Sequence, residues 1–94
     1  MEKINEKELK EISINMNDKT VDIKIEGIIT VEFTMNKVQC RYNQRSGFLY
    51  INDKHKNKKF SVNTCMAYTL ETSENRQIIE INLDNDEDIT IHII

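Results

Sequence analysis

The chain has no proline, no tryptophan and only two glycines, and its two cysteines and two histidines are scattered. Each scarcity excludes something. With glycine only at Gly27 and Gly47, there is no glycine-rich loop to cradle a phosphate. Cys40, Cys65, His55 and His92 form no C-x2-C or H-x3-H pair, so zinc-site spacing is absent and no cofactor is expected. The turn Asp84–Asp88 offers carboxylates in a calcium-loop order, but Ile89 stands where that loop requires glycine, so it reads as a solvated turn. His55 lies in a lysine-rich turn and His92 on the polar face of the last strand; neither sits in a nucleophile–base pattern, and an enzyme is not expected. No apolar run approaches the roughly 20 residues that cross a bilayer. There is also no secretory-signal pattern, so a cytoplasmic protein with two reduced thiols and no membrane partner is expected.

What is present is a core-forming fraction, 38% apolar and rich in isoleucine, over 94 residues. That suffices for one domain, 1–94, with no linker or repeat. Residues 1–11 are rich in Glu and Lys around Ile4 and Leu9 and predict a short helix or a frayed tail. From Ile12 the period switches to two: Ile12, Ile14, Met16; Val21, Ile23, Ile25; Ile29, Val31, Phe33, Met35; Val38, Cys40, Tyr42; Phe60, Val62; Met66, Tyr68, Leu70; Ile79, Ile81, Leu83; Ile89, Ile91, Ile93. Phe48–Ile51 is apolar on both faces. Turn residues recur about every ten positions, at 17–19, 36–37, 43–47, 53–57, 73–76 and 84–88. The prediction is an all-β body over 12–94, an antiparallel hairpin meander of about eight short strands closing as a small barrel or sandwich. The expected inward set is Val21, Ile23, Ile25, Val31, Phe33, Val38, Cys40, Tyr42, Phe60, Val62, Tyr68, Leu70, Ile79, Ile81, Ile89 and Ile91.

The net charge of −3 is mild, but its distribution is uneven. Arg45 to Lys59 carries five Lys or Arg against one Asp, a local +4 that leaves −7 elsewhere. Arg45, Lys54, Lys56, Lys58 and Lys59 therefore surround a hairpin whose strands carry Phe48, Tyr50 and Phe60. Rings beside a basic rim are how single-stranded nucleic acid is held, with bases on the rings and phosphates on the cations. Tyr42-Asn43-Gln44-Arg45-Ser46-Gly47-Phe48-Leu49-Tyr50-Ile51 resembles the first nucleic-acid motif of cold-shock domains, and Phe60-Ser61-Val62-Asn63 stands at about the spacing of their second. The resemblance covers at most 35–94 and implies a five-stranded oligonucleotide-binding barrel. Where that family has tryptophan, lysine, a second-motif aromatic and histidine, this chain has Arg41, Ser46, Ser61 and Asn63.

A further set of apolar residues, Ile28, Leu49, Ile51, Ile78 and Ile94, is out of phase with the expected core. The final strand reads as an uncovered edge. The leading expectation is therefore a non-enzymatic β module that binds a protein partner, a small regulator or inhibitor of mobile-element type. Its expected contacts are Leu49, Ile51, Ile91, Ile93 and Ile94, with a homodimer formed through the C-terminal edge strand. The alternative is single-stranded nucleic-acid binding by the basic hairpin.

Overall fold

The computed structural model describes residues 1–53, 55 and 57–94. In chain order it contains β1 (Glu2–Lys3), α1 (Glu6–Met16), β2 (Val21–Glu26), β3 (Thr30–Met35), β4 (Val38–Asn43), β5 (Phe48–Asp53), β6 (Lys58–Asn63), a 3-10 turn (Thr64–Met66), β7 (Ala67–Thr72), β8 (Ile78–Leu83) and β9 (Asp88–Ile93). The protein is mostly β with one short N-terminal helix, and its strands pair antiparallel. No helix among the described residues is long and apolar enough to cross a membrane.

The strands form two open sheets in a sandwich-like arrangement. The large sheet has the order β1-β7-β8-β9-β2-β3, and the small sheet has the order β4-β5-β6. The barrel implied by the cold-shock resemblance does not form, because β7, β8 and β9 join the large sheet and leave β4–β6 on their own. Hairpins account for most neighbours, but β9 returns to pair with β2. It is therefore an interior strand, and the expected C-terminal edge does not exist.

The helix starts and ends later than the expected span 1–11, running over Glu6–Met16. Asn5 starts it with a capping box: its side chain accepts from the Glu8 N–H at 2.9 Å while Glu8 Oε1 accepts from the Asn5 N–H at 3.4 Å. Once nucleated, the chain follows the 3.6 period, which buries Leu9, Ile12, Ser13 and Met16 and leaves Ile14 exposed. The alternation at Ile12, Ile14 and Met16 that predicts a strand spans too few residues to decide against this. Asn17 then anchors the helix end: its Nδ2 donates to the Ile14 carbonyl at 3.2 Å and its Oδ1 accepts from the Cys40 N–H at 2.8 Å on β4.

The core lies between the large sheet on one side and α1 with the small sheet on the other. Val21, Ile23, Ile79, Ile81, Ile89 and Ile91 meet Val38, Cys40, Tyr42, Phe60 and Val62, as the alternation predicts. Two expected members are outside it. Tyr68 is exposed because a β-bulge between Ala67 and Thr69 shifts the phase of β7, so that Ala67 takes the inward place beside Leu70. Val31 is exposed on the outermost strand, β3. Each expected turn contains a residue in the left-handed region: Asp18, Lys37, Gly47, Asn57, Arg76 and Asp86.

Candidate functional site

The small sheet has one face on the core and one in solvent, and cross-strand register sorts its residues between them. Tyr42, Leu49 and Val62 form one inward row and Cys40, Ile51 and Phe60 the next. Leu49 and Ile51, expected as partner contacts, are 0% exposed. They look out of phase in the sequence only because β5 carries apolar residues on both faces. Ile91 and Ile93 are buried as well, because β9 is interior; of the five expected contacts only Ile94 is exposed. Those four buried side chains cannot meet a partner in the folded protein.

The outward rows are Asn43–Phe48–Asn63, Arg41–Tyr50–Ser61 and Gln39–Asn52–Lys59. Phe48 and Tyr50 are two residues apart on β5 and therefore share the face. Their rings stack with centroids 5.8 Å apart and planes 19° apart. The Arg41 guanidinium carbon lies 5.4 Å from the Tyr50 ring centroid, within cation–π range. Asn43 and Asn63 shape the turns at one end of this face: Asn43 Oδ1 accepts from the Arg45 N–H at 3.0 Å, and Asn63 Oδ1 from the Cys65 N–H at 3.0 Å. At the other end, Gln39 and Asn52 make no side-chain hydrogen bond among the described residues.

Of the residues predicted for nucleic-acid contact, Phe48, Tyr50 and Lys59 lie on this face and Arg45 is exposed in the adjoining turn. Lys58 points away from it: its Nζ donates to the Thr34 carbonyl on β3 at 3.5 Å. Phe60 does not belong to the site. It is buried in the inward row, with its ring centroid 6.3 Å from that of Phe33. Lys54 and Lys56 lie outside the described residues. Arg41 was missed as a site residue, although its alternation with Cys40 and Tyr42 is the signal that finds it.

The small sheet is basic as a unit. Residues 37–65 carry Lys37, Arg41, Arg45, Lys54, Lys56, Lys58 and Lys59 against Asp53 alone, a net +6, so the rest of the chain holds −9. The outward face of the large sheet is acidic on balance, bearing Asp22, Glu26, Glu32, Glu71, Glu80 and Asp88 against Lys3 and Lys24. The two layers thus present opposite fields to solvent.

Gly47 braces one end of the site. Its φ is +78°, and its carbonyl accepts from both the Thr64 N–H at 2.8 Å and the Thr64 hydroxyl at 2.6 Å. A Cβ here would collide with Cys65 Sγ and crowd Asn63 Oδ1. Left-handed backbone and collision together make Gly47→Ala destabilising by about 2 kcal/mol or more. Urea unfolding measures it, and a midpoint unchanged from the parent would contradict the geometry.

The thiols differ. Cys65 is exposed, whereas Cys40 is buried and its thiol is pushed up to about 12 by loss of hydration. The folded chain thus keeps a proton that the unfolded chain releases from about 9.0. The resulting stabilisation is complete below that value and is lost as pH rises towards 12, by up to about 1.4 kcal/mol per pH unit. Denaturation at stepped pH is expected to show this slope in the parent and a flatter one in Cys40→Ala; equal slopes would refute it.

Among the described residues, no group of three or more His, Cys, Asp or Glu side chains could hold a metal ion. Comparison with protein-family models, with curated proteins and with solved structures found no match.

Proposed function

We propose that the protein is a non-enzymatic module that binds single-stranded nucleic acid on the outward face of its small sheet. One observation carries the reading: the Phe48 and Tyr50 rings stack side by side on a solvent face, with Arg41 against Tyr50, in the layer where the chain's positive charge is concentrated. Every base has a π face, so paired rings accept successive bases without regard to sequence, while Arg41, Arg45 and Lys59 meet phosphates. Gln39 and Asn52 supply amide donors and acceptors on the same face.

The test is a fluorescence-anisotropy titration with single-stranded DNA and RNA at low salt. Binding is expected to weaken with salt, with a log–log slope of about −2 for three phosphate contacts on a single strand. Absence of binding to either polymer at low salt sinks the proposal.

A protein-docking reading has support at a different place from the one expected. The exposed apolar residues Ile28, Ile29 and Val31 cluster at the β2–β3 hairpin and line an open groove with Gly27 and the acidic turn residues Asp86 and Glu87.

A further inference from the structure

β3 is the last strand of the large sheet, and among the described residues nothing pairs with its outer side. Its backbone polarity follows from one bond. The Ile94 N–H donates to the Thr20 carbonyl, so even-numbered residues of β2 face β9 and odd-numbered ones face β3. By the register of β2 with β3, Val31, Phe33 and Met35 bond inward, while Thr30, Glu32 and Thr34 turn their N–H and C=O groups to the outer side. The Lys58–Thr34 bond agrees with this and covers that end of the edge. The Thr30–Glu32 half stays uncovered, beside Ile29 at 72% and Val31 at 46% exposure. An uncovered strand with bare apolar side chains is a template for another strand.

One end of this edge is acidic, and the other presents lysines whose neighbouring carboxylates, Asp22 and Asp53, are engaged in hydrogen bonds. At the Thr30 end stand Glu26 and the turn with Asp86, Glu87 and Asp88. At the Met35 end stand Lys37 and Lys58 with the β5–β6 turn, which Asn36 joins through its N–H to Asp53 Oδ2, while Asp22 there is engaged by the Thr34 hydroxyl. A strand that pairs antiparallel with its own copy puts each end against the other's opposite. We propose that the partner of this edge is a second copy of the chain, joined β3 to β3 about a two-fold axis at Val31.

Registers centred on Val31, Glu32 and Phe33 all keep inward residues on one face. Centred on Glu32, the pairing sets two carboxylates directly opposite, which is unfavourable. Centred on Phe33, it needs the Thr34 carbonyl that Lys58 already occupies. Centred on Val31, it makes Thr30–Glu32 hydrogen-bonded pairs in both directions, sets Val31 against Val31 and Ile29 against Phe33, and brings Lys58 towards the partner's acidic turn. The axis stands perpendicular to the large sheet, so both small sheets face the same way. The inference stands apart from nucleic-acid binding and is tested without it.

Light scattering across a concentration series in about 0.1 M salt is expected to give twice the chain mass, falling towards one chain when Lys–acid attraction is screened at about 1 M salt. Val31→Lys is expected to remain monomeric with an unchanged circular-dichroism spectrum. In a Cys65→Ser background, Val31→Cys is expected to cross-link to itself on mild oxidation, since opposed residues of a non-hydrogen-bonded pair lie about 4.5 Å apart at Cα, within disulfide range. Glu32→Cys, opposed to Thr30, is expected not to. A monomer at every concentration, or cross-linking of Glu32→Cys in place of Val31→Cys, overturns the proposal.

Discussion

The double variant Phe48→Ala, Tyr50→Ala is expected to bind single-stranded nucleic acid at least about 30-fold more weakly than the parent, because each ring that stacks a base contributes about 1–3 kcal/mol. The fold should survive. Both rings are half-buried on the solvent side of β5, so their removal opens no cavity in the core. What is lost besides binding is their mutual stacking, about 1 kcal/mol. Arg41→Gln should act differently, removing one phosphate contact and one cation from Tyr50, with a modest loss of affinity and a salt slope shallower by about 0.7. Phe60→Ala is the control. That ring packs inward near Phe33, so its loss should lower stability rather than remove the binding surface. Anisotropy titrations with thermal melts separate these outcomes. A double variant that is folded and binds as tightly as the parent would show that the rings are not the platform.

How much of this was legible in the sequence depends on the range of the interaction that decides each feature. The turns and the phases of β2, β4, β8 and β9 are decided within a few residues, and the sequence displays them. The sheet order is decided by pairing between distant segments. Ile89–Ile94 reads as an edge because no neighbouring segment shows what pairs with it, yet its partner β2 lies some 65 residues upstream. The bulge in β7 adds one residue to one strand only, which alternation cannot register before the partner strand is known. The helix itself is legible in residues 1–11, but its last turns hide behind three residues of accidental alternation at Ile12, Ile14 and Met16. For the site, the same alternation that places Cys40 and Tyr42 inside places Arg41 outside. Phe60 groups with Phe48 and Tyr50 only if the aromatics of both strands of the hairpin share a face. Phe60 opposes Ile51, not Tyr50, and so falls on the core side.

Leu49 separates core from contact surface most sharply. The sequence offers it as a docking residue; the structure seals it in the row Tyr42–Leu49–Val62 with no exposure. If it is core, Leu49→Ala removes buried methyl groups and leaves a void that the two layers cannot fully close. That costs about 2–5 kcal/mol. In a domain of this size, each kcal/mol shifts the thermal midpoint by about 4–8 °C, so a fall of at least about 8 °C is expected. If Leu49 were a docking residue, the same change would leave the midpoint alone and weaken association. Ile94→Ala supplies the comparison: at 64% exposure it should change stability by no more than about 0.5 kcal/mol. Equal midpoints for Leu49→Ala and Ile94→Ala would mean that β5 faces the other way. The Phe48–Tyr50 platform would then lie in the core, because successive residues of one strand cannot share a face. The stability measurement on Leu49 is thus also a test of the nucleic-acid surface, made without any nucleic acid.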